Sequence, residues 1–336
     1  MNTTQVMRLC TMAGLGEPLE EPQAASGGLL HRVWRLTTTG GTFALKQLNS
    51  ALLQKPGVLQ AYRLSENIAG AMAAQGIPAV AALAHSAGNV IYELDDLTLL
   101  VYKWIDGTIL PVESVTHEQA AQIGALLARM HALHLQLPGV APLEWTHFED
   151  EDWDILTFQA SDLNLPWANP VRSLLPRLLE WTRAYEEAGK VLSQRMVISH
   201  THCDPSNVIW SSPTQPWLID WEAAGLINPT MELVGAALTW SGLLLGQAGE
   251  ARFSAVLQGY RSAGGEIEDS GQAALHAYMG SWLGWLLFNM RRSLGECVTN
   301  EEEKLIGIRE TSNTVPILRT LATNAASWAA LVDACQ

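Results

Sequence analysis

Residues 197–210, VISHTHCDPSNVIW, and residues 216–225, PWLIDWEAAG, are the two stretches whose reading decides the fold. In the first, His200, His202, Asp204 and Asn207 occupy a loop between two apolar edges, with Met196–Trp210 and Trp217–Trp221 read as short buried strands around a turn at Ser211–Gln215. The second places Asp220 at the end of a strand, thirteen residues beyond Asn207. An amide and a carboxylate brought together on adjacent strand ends are hard oxygen donors, suited to Mg²⁺, which takes carboxylate, carbonyl and phosphate oxygens. Asp204-Pro205-Ser206-Asn207 is also a good turn sequence. On these residues alone, a site and a plain turn both remain open.

The upstream half weighs on that choice. Ala25-Ser26-Gly27-Gly28 precedes a strand, and Lys46 stands in the next one as FALKQL at 43–48. Glycines there let the backbone approach phosphates, and a strand lysine reaches them as a point charge. Glu66, in the helix that follows, is placed to pair with Lys46. Taken singly these are weak signals, since a Gly-Gly is usually a turn and a Lys–Glu pair usually surface decoration. The order is more specific: glycine loop, strand lysine, helix glutamate, connector, His-containing loop with Asn, then Asp after the next strand.

Working outward, the first hundred residues read mostly as strands. Leu29–Thr37 and Thr42–Leu48 are joined by Thr-Thr-Gly-Gly, a hairpin signal. Gln60–Gln75 has helical spacing and stops at Gly76 with Pro78 beyond. Ala79–Ser86, Val90–Glu93 and Leu97–Trp104 are further strand candidates. Past Gly107 the apolar period lengthens to that of helices, at Glu118–Leu135, Val171–Leu192, Met231–Leu245, Ala251–Ala263 and Ala273–Met290. The division expected is a sheet-rich part over 1–102 and a larger helical part over 103–336.

The chain resembles the aminoglycoside phosphotransferase and choline kinase-like family, which shares the protein kinase fold. The likeness spans about 20 to 245 and rests on Gly27-Gly28, Lys46, Glu66, the Val101–Gly107 connector, IGALLARMHAL at 123–133, the His200–Asn207 loop and LIDWEAAGLINPTMEL at 218–233. It implies an α+β, bilobal kinase-like architecture with a small antiparallel-sheet N-lobe and a mainly helical C-lobe. By resemblance, Lys46 contacts the ATP α/β-phosphates and Glu66 orients it. Asn207 and Asp220 hold Mg²⁺, and the backbone of Val101, Tyr102 and Lys103 receives the adenine.

The sequence departs from the family at one decisive place. The family's catalytic loop reads His-x-Asp-x-x-x-x-Asn, but five residues before Asn207 stands His202, with His200 two before it. Three readings stay open. His202 takes the acceptor hydroxyl's proton, as imidazole commonly does; a shifted loop brings Asp204 into that role; or the chain binds nucleotide or metabolite with little or no transfer. A Cys203 nucleophile is disfavoured because loop neighbours seldom face each other. A zinc site at His200, His202 and Asp204 lacks a further ligand.

Composition narrows the partners. The 34 acidic and 20 basic residues leave a net charge of −14, which repels nucleic-acid phosphates and anionic lipid. Residues 101–336 carry 27 acids and 14 bases, a net of −13, so a cationic small-molecule acceptor such as an aminoglycoside, choline or amino-alcohol is expected. Asp152 and Asp154 in the acidic run 149–154, together with Glu222 and Glu232, are the candidate acceptor contacts. The run also suits a solvated loop or a helix N-terminus. Among the 13 tryptophans, Trp153, Trp221 and Trp240 are candidates for a cage around a quaternary ammonium, though such residues are more often core. Four cysteines without CxxC or zinc spacing read as reduced thiols. The N-terminus lacks signal-peptide order and no apolar run spans a membrane, so a cytoplasmic, soluble protein is expected.

Overall fold

Two hydrophobic periods divide the chain, and both appear in the computed structural model, which describes residues 1–25, 30–85, 88–146, 148–246 and 248–336, with residue 151 described by its backbone. In chain order the elements are α1 (Thr3–Ala13), β1 (Gln23–Ala25), β2 (Arg32–Thr38), β3 (Gly41–Gln47), α2 (Ser50–Leu53), α3 (Val58–Ala74), β4 (Tyr92–Leu94), β5 (Leu97–Lys103), β6 (Thr108–Ile109), α4 (His117–Ala132) and α5 (Asp150–Asp162). They continue as α6 (Ala168–Arg172), α7 (Leu175–Leu192), β7 (Val197–Ser199), β8 (Val208–Ser212), β9 (Gln215–Leu218), β10 (Gly225–Ile227), α8 (Pro229–Ser241), α9 (Glu250–Ser262), α10 (Gly271–Ser293) and α11 (Glu301–Asp333). They form two compact units: Met1–Thr108 with Val208–Ala224, and Ile109–Asn207 with Gly225–Gln336.

The first unit holds an antiparallel sheet in the order β1-β2-β3-β5-β4. Side chains alternate across it. Phe43, Leu45, Leu99 and Val101 therefore join one core with Val6, Leu9 and Leu36, beneath α1. Lys46 pairs with Leu100 across β3–β5, on the opposite face. There Leu48, Leu100 and Tyr102 pack toward Tyr62 of α3 in a second apolar cluster. The lysine is thus delivered to the helix-covered face by strand alternation alone. The hairpin β8–β9 belongs to this unit, with Ala79 bridging in parallel to Leu218.

The second unit is mainly helical. α10 packs along α11 and α7, and α4 along α9. α8 is buried along nearly its whole length, and β7 pairs antiparallel with β10. α4 and α9 approach to backbone contact, since a Cβ on Gly124 would lie 2.0 Å from the Val256 carbonyl oxygen and one on Gly259 1.9 Å from that of Ala121.

Several expectations need correction. Ala79–Ser86 is no strand, as far as its described residues go. Ala79 makes one isolated parallel bridge with Leu218, and Leu83 N–H donates to Val101, contacts with two different strands that extend into no ladder. Val171–Leu192 is two helices, because Pro176 has no N–H to continue the hydrogen bonds of the preceding turn. The segment Met231–Leu245 ends as α-helix at Ser241, where Gly242 takes a left-handed φ of 109°. The acidic run 149–154, read as acceptor contacts or as a solvated loop or helix N-terminus, opens α5, as the helix N-terminus reading has it. Helices α1, α5 and α11 add to those read from the periodicity. The glycines Gly27 and Gly28 lie outside the described residues. Among the described residues no helix is long and apolar enough to cross a membrane.

Candidate active site

In the sheet-rich unit, β3 presents Lys46 to the loop after β9. Its Nζ donates to Asp220 Oδ1 at 2.5 Å and to Glu222 Oε2 at 2.8 Å. Asp220 is left-handed, with φ 61° and ψ 62°, a conformation Asp tolerates better than most residues. The turn swings its carboxylate under the lysine at the head of a short 3₁₀ turn, Trp221–Ala223. Burial alone would push the Lys46 ammonium down. The charges and hydrogen bonds of Asp220 and Glu222 outweigh it and hold the lysine above its ordinary value. Burial likewise opposes ionisation of Glu222, but the His31 hydrogen bond and the Lys46 charge bring it down to about 2.

Glu66 is placed differently from the expected Lys46 partner. Its Oε1 accepts from Tyr102 Oη at 2.6 Å and its Oε2 from Ala82 N–H at 2.8 Å. Both oxygens are thereby committed to β5 and to the extended segment after α3, and burial pushes the carboxyl up. Tyr102 reaches Glu66 because even-numbered residues of β5 share the Lys46 face. The Val101 carbonyl accepts from Leu83 N–H, and Lys103 at the strand end is exposed.

Sequence reasoning also missed His31. It is 7% exposed, with Nδ1 3.1 Å from Asn49 N and Nε2 3.0 Å from Glu222 Oε2 and 2.9 Å from Tyr62 Oη. A histidine at the entry to a strand carries no local signal; only the fold brings it to residue 222.

In the helical unit the loop after β7 is pinned through its backbone. Thr201, left-handed at φ 64°, donates its N–H to Glu232 Oε1 at 2.6 Å. Asn207 Nδ2 donates to the His202 carbonyl at 2.9 Å, and Trp240 Nε1 to that of Cys203 at 2.8 Å. With these backbone groups held, His202 Nε2 lies 3.0 Å from Asp204 Oδ2. The imidazole is 63% exposed, while the Asp204 side chain is only 10% exposed and accepts from Ser206 N–H and Oγ–H. Burial opposes ionisation of Asp204, yet the hydrogen bond and charge of His202 and the Ser206 donors overcome it and lower its pKa. An ionised carboxylate can only accept, so His202 donates its Nε2–H to Asp204. Cys203 is buried, and burial pushes its thiol well up, the reverse of a nucleophile's environment.

The candidate acceptor contacts separate. Glu232 is 3% exposed, and its Oε2 meets His131 Nε2 at 2.7 Å, whose Nδ1 meets Tyr260 Oη at 2.9 Å. It is an internal anchor of the loop. Asp152 accepts from Arg291 at 2.6 Å, Asp154 is exposed, and Glu222 lies on Lys46. Trp153, Trp221 and Trp240 are 1%, 1% and 0% exposed, so of their two readings, cage and core, these three are core. Beside the loop is a cavity of about 30 Å³ lined by His202, Cys203, Asp204, Met231 and Tyr278, room for water and not for an acceptor.

The sheet-rich unit by itself holds an anionic oxygen and a fixed cation, groups of the kind a metal-bound nucleotide takes. Asp220 contributes a half-exposed carboxylate. In the helical unit, Asn207 is 7% exposed, with its Nδ2 given to the His202 carbonyl and its Oδ1 3.5 Å from Ser206 Oγ. Lys46 supplies a fixed cation. Among the described residues, no three His, Cys, Asp or Glu side chains are grouped to hold a metal ion, which argues against the zinc alternative.

Comparison with known proteins bears on this arrangement. The model of the phosphotransferase enzyme family, APH, matches residues 21–265. No curated protein matches the sequence. Among solved structures, spectinomycin phosphotransferase APH(9)-Ia in complex with ADP and spectinomycin superposes with a TM-score of 0.70 at 12% identity, over 96% of this chain and 99% of that one. Amicoumacin kinase hAmiN, in complex with AMP-PNP, Ca²⁺ and Ami, gives 0.63 at 12% identity over 94% and 93%. Choline kinase LicA from Streptococcus pneumoniae gives 0.61 at 16% over 96% and 100%. At such identities these likenesses show the fold, which is the α+β, protein kinase-like one.

Proposed function

The chain belongs to the phosphotransferase enzyme family, and from that premise we propose that it is a small-molecule kinase moving the γ-phosphoryl group of ATP to a hydroxyl of a polar, cationic acceptor. The observation that carries this reading is the meeting of Lys46 with Asp220, residues 174 apart in sequence, at 2.5 Å. A buried strand lysine held against the carboxylate that follows β9 is the cation–anion arrangement a nucleotide and its metal require. In this proposal Lys46 takes the α/β-phosphates, the backbone of Val101–Lys103 takes the base, and Gly27-Gly28 covers the phosphates. Asn207 and Asp220 hold Mg²⁺, which when bound supplies charge neutralisation on the phosphate oxygens. The acidic balance beyond residue 100 supports the cationic acceptor, with Asp154 as a contact.

His202 serves as the base, and Asp204 orients it. The hydrogen bond to Asp204 orients the ring, and His202 accepts the acceptor hydroxyl's proton as the hydroxyl oxygen bonds to the γ-phosphorus and the bond from that phosphorus to the leaving oxygen of ADP breaks. The Asp204 carboxylate then steadies the imidazolium that forms. Base catalysis of this kind contributes roughly 10²–10⁴-fold.

The test is ADP release with Mg²⁺-ATP over a panel of aminoglycosides and amino-alcohols. Turnover by the wild type, lowered about 10²–10⁴-fold in His202→Ala and less in Asp204→Asn, supports the proposal. ATP binding without turnover of any acceptor, unimproved in His202→Asp, makes the chain a non-catalytic nucleotide- or metabolite-binding homologue instead.

A further inference from the structure

We infer that His31 is a positioning residue that steers Glu222 onto Lys46, so that the carboxylate orienting the nucleotide-binding lysine comes from residue 222 and not from residue 66. The inference rests on the kinase reading above and assigns a part of that site which neither the family's motif nor the sequence spacing indicates.

Hydrogen-bond accounting leads to it. A buried ammonium has three hydrogens to place. Asp220 Oδ1 takes one, and Glu222 Oε2 is the other acceptor within reach, at 2.8 Å. Glu66 is spent on Tyr102 and Ala82. Glu222 lies in the short 3₁₀ turn Trp221–Ala223, two residues past the left-handed Asp220, and its carboxylate is met by side-chain contacts. Lys46 provides one of these, and His31 Nε2, 3.0 Å from the same Oε2, provides another.

The imidazole is itself oriented. Asn49 donates its backbone N–H to Nδ1, so that nitrogen is an acceptor and the ring proton sits on Nε2. A carboxylate cannot donate, so Nε2–H must donate to Glu222. Tyr62 Oη lies 2.9 Å from the same nitrogen, and its ring packs edge-on to the imidazole at 5.6 Å. His31 is therefore held by a backbone amide at Nδ1, and its single Nε2–H is shared between the Glu222 carboxylate and the Tyr62 oxygen, both of which accept from it. A histidine serving only as core filler would not need both ring nitrogens directed in this way.

The experiment uses the full chain and reads Mg²⁺-ATP affinity by calorimetry together with the KM for ATP and for the acceptor. Loss of one hydrogen bond to a charged group predicts about tenfold or more weaker nucleotide binding in His31→Ala, with the acceptor KM unchanged. His31→Gln, which keeps an N–H donor, is expected within about threefold of wild type and decides the matter if His31→Ala does not fold. Without nucleotide, imidazole ¹⁵N spectra show the Nε2–H tautomer for His31, perturbed by Glu222→Gln. Wild-type affinity in His31→Ala overturns the inference, as does equal loss of both KM values in both variants, or the opposite tautomer. A wild-type chain that binds no Mg²⁺-ATP yet shows the expected tautomer refutes the kinase reading itself, and the inferred role with it.

Discussion

Removing the Glu232 carboxylate tests how the loop carrying His202 is held. Glu232 is 3% exposed, and its two oxygens accept from His131 Nε2 at 2.7 Å and from Thr201 N–H at 2.6 Å. Hydrogen bonds to a charged group contribute about 1.5–3 kcal/mol each, and stripping one partner from a buried pair costs roughly 3–5 kcal/mol. Glu232→Ala is therefore expected to cost about 3–5 kcal/mol, because it removes the carboxylate acceptor of a buried imidazole and of the part-buried Thr201 N–H together. Thr201 is β-branched and left-handed, a conformation that costs about 1–2 kcal/mol and that the Glu232 bond helps to hold.

Glu232→Gln should be much milder, near 1–2 kcal/mol, because the network can invert. The Gln carbonyl still accepts from Thr201, its amide donates to His131 Nε2, and His131 Nδ1–H then donates to Tyr260 Oη in place of accepting from it. Urea unfolding, followed by tryptophan fluorescence, measures both variants through the midpoint and the slope m. An Ala variant within about 1 kcal/mol of wild type, or a Gln variant as damaged as Ala, refutes the anchoring role.

Glycine substitutions should reverse sign with their surroundings. Gly259→Ala puts a Cβ 1.9 Å from the Ala121 carbonyl oxygen, a backbone atom that cannot rotate away, and should destabilise by at least about 1–3 kcal/mol despite the better helix propensity of Ala. Gly70→Ala in α3, with nothing within 4 Å of the added carbon, should stabilise by about 0.5–1 kcal/mol; thermal unfolding of both decides it. Acid should also unfold the chain through its depressed carboxylates. Glu222, Glu232 and Asp204 all titrate below their ordinary values in the folded protein, with burial opposed by stronger hydrogen bonds and charges from His31 and Lys46, from His131, and from His202 and Ser206. Their stabilisation is present above the unfolded carboxylate range, near ~4, and is lost as pH falls through the folded values, about 2 for Glu222. The urea midpoint should fall across that window, and less steeply in Glu222→Gln. An identical slope in that variant would contradict the ionic contacts at residue 222.

How much was legible from the sequence depended on the range of the forces involved. Helices such as α4 and α10 follow from apolar spacing, and the β2–β3 hairpin from Thr39-Gly40-Gly41 at its turn. Lys46 in a strand and Asp220 just past one are local facts as well. Boundaries drifted where one residue overrode the periodicity, at Pro176 and Gly242. Helix α5 hid in an acidic run whose apolar stripe is weak, and α1 and α11 were not recognised from the periodicity.

By itself the sequence determined the alternation that puts Lys46 opposite the Phe43–Leu45 core, the helical period beyond residue 107, and the ordered motifs that carry the family resemblance, His202 in place of the expected aspartate included. Each of these is set by nearest neighbours and by side-chain period. Tertiary structure alone decided which carboxylate holds the lysine. On paper Glu66 is the partner read for Lys46, with Asp220 read as a metal ligand and Glu222 as an acceptor contact. The two that win do so because Tyr102 and Ala82 claim Glu66 on the shared face of the sheet, while His31 and a left-handed turn deliver residues 222 and 220. Competition among acceptors for a buried donor is settled by distance in three dimensions, which spacing along a chain does not encode.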